Sequence, residues 1–338
     1  MRNFNVIISL FLLFSCTSKK ENQAIEGFTL KGLTQGTTYS IILAEDKINF
    51  QQQEIEHLLA AFDTILSTYI SNSEISQLNN SIQHYSFKDE NRFFKSCYEL
   101  SQEVFKESNY QFDPSIYPLV KAWGFFNKSE IVPEQAQIDS LRAFISFEQD
   151  KLHSVKFDGD SVHFSKKDPR FKLDFNAIAQ GYSVDVIADF IQSKGHKNYY
   201  VEIGGEVRVS GLNRSGEKWK LGIDVPDELE ERESLATVKV TNCGLATSGN
   251  YRNYFEKDGK KYGHILSPTT GYPGKTDILS TTVIHKNAAL ADAYATVFML
   301  LGKEKSITYC KDHPQIQLLL VYLDEENQMK VYKTANFE

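Results

Sequence analysis

Apolar residues recur at three- and four-residue steps between Gln51 and Ser67, at Ile55, Leu58, Leu59, Phe62, Ile65 and Leu66. That spacing lines one face of an α-helix. The same period over Phe93, Cys97, Leu100 and Val104 predicts a second helix. Val184, Ile187, Ala188 and Ile191 predict a third, running from about Gly181 to a glycine cap at Gly195. A fourth, Ala288 to Leu301 with Gly302 closing it, is apolar almost all round and belongs in a core. Alternating or β-branched runs predict strands at Tyr199 to Ile203, at Val207 to Val209 after Gly204-Gly205, and at Trp219 to Val225. More follow at Leu235 to Val240, Leu279 to His285, Ile316 to Leu323 and Met329 to Lys333. Helices and strands mix without a regular βαβ rhythm, so the expected architecture is α+β rather than a doubly wound nucleotide fold.

The apolar run Val6 to Phe14 follows Arg2 and gives way at once to polar Thr17-Ser18-Lys19-Lys20. It is far shorter than the roughly 20 residues a membrane-spanning helix needs, and it reads as an export signal. Leu13-Phe14-Ser15-Cys16 has the Leu and the small residue of a lipobox ahead of its Cys. The expectation is a signal peptide over residues 1–15, lipidation of Cys16, a tether over 16–27 and a folded domain over 28–338. Such a chain is held by its lipid on the extracytoplasmic, periplasmic side of a membrane. The net charge of −7, without a Lys/Arg block, argues against nucleic acid as a partner. Cys97, Cys243 and Cys310 are too scattered for a zinc site or a disulfide framework and read as buried thiols.

Asp292 is the anomaly of the apolar fourth helix. A buried carboxylate must be paired or coordinated, and Thr296 lies one turn along on the same face. Two hard oxygen donors at that spacing suit magnesium; an ion pair with Lys or Arg, or a hydrogen bond to backbone, is the competing explanation. The segment Leu173 to Asp185 places Asp174, Asn176 and Gln180 around a helix start, which serves either as a plain cap or as an anion site. Ser248-Gly249-Asn250-Tyr251-Arg252 and the stretch His264 to Gly271 are polar and turn-rich, as binding loops are.

Taken in order, several segments resemble the ApbE family of FAD:protein FMN transferases. They are Gln35-Gly36-Thr37-Thr38, Leu66 to Asn79, Phe112-Asp113-Pro114-Ser115 and Trp123-Gly124-Phe125. Asp174 to Asp185, Gly204 to Arg208, Thr247 to Arg252, His264 to Gly271 and Ala291-Asp292-Ala293 with Thr296 complete the series. The resemblance implies an ApbE-like α+β fold of mixed helices and antiparallel-rich sheets in two closely associated lobes. It implies Mg2+ held by Asp292, Thr296 and the backbone carbonyl of Ala177. It places FAD against Gln35, Tyr69, Trp123, Gly124, Phe125, Asp174, Gln180 and Ile265, and makes His264 the residue that helps activate the acceptor hydroxyl. The implied reaction moves FMN from FAD to a Thr or Ser of another protein and releases AMP. The implied acceptors are flavoprotein subunits of NADH:quinone oxidoreductase or Rnf-type electron-transport complexes. Two positions depart from the family, which usually has Met where this chain has Gln35 and Lys or Glu where it has Gln180. An FAD pyrophosphatase and a flavin-binding lipoprotein without transferase activity are the alternative readings.

Overall fold

The computed structural model describes residues 28–337 apart from 46, 127, 128, 130, 225–233, 251–253 and 275. The signal peptide, Cys16 and the tether therefore lie outside the described residues, as do Val225 and Tyr251-Arg252. The described chain opens with strands β1 (Phe28–Thr34) and β2 (Thr37–Leu43), helices α1 (Gln52–Leu66) and α2 (Glu74–Asn80), strand β3 (His84–Lys88) and helix α3 (Phe93–Glu107). Two short helices, α4 (Tyr117–Ala122) and α5 (Gln135–Arg142), precede the hairpin of β4 (His153–Asp158) and β5 (Ser161–Lys166), and then the long α6 (Asn176–Ser193). Seven strands follow: β6 (Tyr199–Ile203), β7 (Glu206–Ser210), β8 (Trp219–Asp224), β9 (Ser234–Val240), β10 (Cys243–Gly249), β11 (Tyr254–Lys257) and β12 (Lys260–Gly263). The last elements are β13 (Ile278–His285), α7 (Ala288–Leu301), α8 (Lys303–Asp312), β14 (Gln317–Leu323) and β15 (Met329–Lys333).

Eight strands form one antiparallel sheet in the order β1-β2-β6-β7-β10-β13-β14-β15. Side-chain alternation divides its strands between two cores. Val283, Leu318 and Leu320 face α3, α6 and α7, whereas Ile284, Leu319 and Val321 face the two-stranded ribbon of β8 and β9. Tyr39, Ile41 and Leu43 of β2 pack against α1 and α6. The largest apolar cluster runs unbroken from the main sheet to the small sheet β3-β5-β4 through Phe87, Val162 and Phe164. The expected α+β architecture of helices and antiparallel sheets is the one observed.

Turn chemistry sets the registers. Gln35 and Gly36 both have positive φ and join Thr34 to Thr37, and Gly204-Gly205 do the same between Ile203 and Glu206. Two-residue turns of this kind match the twist of the strands they connect. The predicted helices recur at α1, α3, α6 and α7, but α6 starts at Asn176, not near Gly181. Ile178 is fully buried and carries the apolar stripe backward in three-residue steps. Gly181 interrupts that stripe because it has no side chain, and the missing side chain is what lets α7 approach. A Cβ there would lie 2.4 Å from the Ala288 carbonyl oxygen and 2.7 Å from Asp292 Cβ. The Gly195 cap is present as expected. Gly195 N–H donates to the Gln192 carbonyl at 2.9 Å and His196 N–H to that of Ile191 at 3.3 Å, the pair of bonds that ends a helix at a left-handed residue.

Candidate active site

The N-terminal end of α6, the middle of α7, the Gly204-Gly205 turn and the loops around Tyr69, Phe125 and His264 line a cavity of about 890 Å³. Its placement follows from how α7 is held. Asp185 of α6 accepts hydrogen bonds from the first two amides of α7, Ala288 N–H at 3.0 Å and Ala289 N–H at 2.9 Å. A carboxylate in that position satisfies donors that a helix start leaves unpaired. Arg208 of β7 pairs with the same carboxylate, so sheet, α6 and α7 meet at one buried ion pair. Further along α7, Thr281 Oγ1 of β13 donates to the Ala295 carbonyl at 2.7 Å.

About one and two turns into this fixed helix, Asp292 and Thr296 reach the cavity wall. Asp292 is 7 % exposed, and its Oδ2 accepts the Gly181 N–H at 3.0 Å. That N–H is the ordinary helical partner of the Ala177 carbonyl, and Ala177 also lines the cavity. Thr296 Oγ1 lies 3.2 Å from Ser248 Oγ of β10. Across from them Glu206, first residue of β7, also lines the cavity, and its Oε2 is buried with no hydrogen-bond partner among the described residues. Burial holds both acidic groups above the usual carboxylate range, and the charge of Asp292 pushes Glu206 further up. Among the described residues neither forms an ion pair with Lys or Arg, and the partner Asp292 does have is the Gly181 backbone N–H. Nor do three His, Cys, Asp or Glu side chains gather as a metal-binding group among the described residues. A cation here would rest on carboxylate, hydroxyl, carbonyl and water oxygens, the donor set of a hard ion such as magnesium rather than zinc.

The rest of the cavity suits a long, partly aromatic ligand. Tyr69, Phe125, Phe126 and Phe255 line it, with Tyr69 72 % exposed at the rim and its ring 5.9 Å from that of Phe126. Asp174 lines the same cavity. Its Oδ1 accepts the Asn176 N–H at 2.8 Å, and burial nevertheless pushes its carboxyl up to about 6. Asn79 fixes the backbone just before it, donating to the Leu173 carbonyl and accepting the Leu173 N–H, both at 2.7 Å. Gln180 reaches over the turn, donating to the Ile203 carbonyl at 3.0 Å. Gly204 has to be a glycine: a Cβ there would meet the Gln180 amide nitrogen at 1.8 Å, and its φ is +62°.

Of the residues expected to touch FAD, the structure brings Tyr69, Gly124, Phe125, Asp174, Gln180 and Ile265 to this cavity, together with His264. Trp123 and Gln35 are not on its wall. Trp123 is fully buried behind Phe125, with rings stacked at 6.4 Å, and its Nε1 donates to the Gly271 carbonyl at 2.9 Å. It thereby ties the loop that follows His264. Gln35 turns inward, where its Oε1 accepts from Ser183 Oγ at 3.2 Å. Ser248, expected in a binding loop, is on the wall, while Glu206, Phe126 and Phe255 line the cavity without having been given a role from the sequence. The Gly-Gly turn before Glu206 was the available signal for the first; for the two phenylalanines no local pattern separates a cavity wall from a core.

The fold and this cavity define an enzyme-like α+β protein with a buried hard-oxygen cluster beside an aromatic-walled cleft. The model of the ApbE family matches residues 35–320. A curated relative from Vibrio cholerae, an FAD:protein FMN transferase, is 35% identical over 100% of this chain and 98% of its own length. One from Haemophilus influenzae with the same name is 30% identical over 94% of this chain and 92% of its own. Among solved structures, the flavin transferase ApbE from Vibrio cholerae superposes with a TM-score of 0.79 at 32% identity, covering 92% of this chain and 97% of that one. The chain belongs to the ApbE family.

Proposed function

We propose that this chain is an FAD:protein FMN transferase that uses Mg2+ to move FMN from FAD onto a Thr or Ser hydroxyl of an acceptor protein. The observation that carries the reading is the convergence of Asp292, Thr296, Ala177 and His264 on one cavity of about 890 Å³. In the reaction the acceptor oxygen bonds to the FMN-side phosphorus of FAD, the bond from that phosphorus to the bridging oxygen breaks, and AMP departs with that oxygen. Catalysis of such a transfer is mainly positioning and charge stabilisation. Asp292, Thr296 and the Ala177 carbonyl would hold Mg2+, which supplies neutralisation of the pyrophosphate when bound. Tyr69 and Phe125 offer faces for the flavin or adenine ring. His264, on the same wall, takes the proton of the acceptor hydroxyl. Asp174, whose second oxygen is left for a ligand, accepts from a ring N–H or a ribityl hydroxyl.

The N-terminal segment fits this role. Residues 1–15 as a signal peptide and a lipidated Cys16 place the folded domain, beginning near residue 28, at the extracytoplasmic membrane face. Flavoprotein subunits of NADH:quinone oxidoreductase or Rnf-type complexes would meet it there as acceptors. Incubation with FAD, MgCl2 and an acceptor domain, followed by a denaturing gel viewed for flavin fluorescence, tests the assignment. A fluorescent acceptor band that disappears with EDTA is expected; FAD turnover with a dark acceptor band would refute transfer.

A further inference from the structure

Glu206 is left unexplained by the three groups assigned to the cation. It is the first residue of β7, directly after the Gly204-Gly205 turn, and the Gln180 amide fixes that turn by its bond to Ile203. Its side chain is thus delivered to the cavity by a rigid hairpin. One of its oxygens is buried with no hydrogen-bond partner among the described residues, opposite a second buried acid that has only the Gly181 N–H. An isolated buried carboxylate is strongly disfavoured, and two facing each other more so, unless a positive charge joins them. A divalent cation matches the charge of the pair.

We infer that Glu206 is a second carboxylate of the divalent-cation site, facing the ion from the β7 hairpin while Asp292 and Thr296 face it from α7. The inference rests on the reading that a cation binds at Asp292. It adds a residue from a different element, so that binding the ion ties the sheet to α7 across the floor of the cavity. Loss of even an outer-shell partner of a metal typically lowers affinity by about 10- to 100-fold, which sets the scale for a carboxylate facing the ion.

The test is Mn2+ titration of FAD-free protein, read by the electron paramagnetic resonance of the unbound ion, with melting in EDTA measured on the same samples. Glu206→Gln keeps the size of the side chain and removes its charge. Mn2+ affinity about 10- to 100-fold below wild type is expected, with melting in EDTA no earlier than wild type because a buried repulsion is gone. Glu206→Asp, which keeps the charge on a shorter arm, should bind with intermediate affinity and stands in if Glu206→Gln does not fold. Wild-type affinity in Glu206→Gln, with Asp292→Asn losing the ion, overturns the inference and leaves the proposed function standing. Wild-type protein that binds no Mn2+ overturns both.

Discussion

At the scale of single residues, a buried acid on an apolar helix was the most informative signal in the chain, and its outcome is specific. Asp292 has a backbone N–H for company and no cation among the described residues, so Asp292→Asn strands nothing and still accepts from Gly181. We expect the variant to melt no earlier than wild type in EDTA while Mg2+-dependent transfer falls by about 100-fold or more. A loss of several kcal/mol in a denaturant titration would point to a structural role instead. Asp174 carries a pH signature. Its folded carboxyl is raised from 3.8 to about 6 by burial, so the folded state binds the extra proton. The stability this group contributes is fully present below about pH 4 and is lost as pH rises through about 6. Asp174→Asn should flatten that loss, gaining on wild type by on the order of 2 kcal/mol between pH 4.5 and 7.5 in urea titrations. Asp292 stands out by its own chemistry, a carboxylate on an apolar helix, whereas Tyr69, Gly124, Phe125, Asp174, Gln180, His264 and Ile265 are legible only through the family resemblance. Trp123 and Gln35 went elsewhere because ring size and an amide do not reveal which way a side chain turns.

At the scale of elements, helices were legible where a one-sided apolar stripe had to be buried, which is why α1, α3 and α7 match their expected ranges closely. The short helices α2, α4 and α5 escaped notice because seven, six and eight residues carry too few turns to show a period. Strands β1 and β2 were missed for a related reason: β1 alternates Leu30 with exposed Lys31 and Thr29, a weak signal until β2 and β6 pair alongside. The start of α6 was misplaced because Gly181 supports the fold by what it lacks. Gly181→Ala would push α6 and α7 apart at the point where Asp292 is held. A loss of about 1 to 3 kcal/mol in unfolding free energy is expected, together with weaker Mn2+ binding. Unchanged values for both would mean that the helices separate freely and the close crossing is not needed.

At the scale of the whole molecule, the α+β architecture followed from mixed element types, while the strand order did not, because antiparallel neighbours such as β7 and β10 are far apart in sequence. Among the described residues no helix is long and apolar enough to cross a membrane. The proposed lipid at Cys16 has its own test. Cys16→Ser should abolish incorporation of a fatty-acid analogue and release the protein from membrane fractions, whereas equal labelling of both forms would rule out lipidation at this residue. The central claim is that one cavity binds FAD and hands its FMN half to another protein. Its most direct test is mass spectrometry of an acceptor domain after incubation with enzyme, FAD and Mg2+, with AMP measured in the same reaction. The account predicts one FMN added to a Thr or Ser of the acceptor for each AMP released, and neither product with Asp292→Asn. Free FMN and AMP with an unmodified acceptor, or labelling that persists without divalent cation, would contradict it.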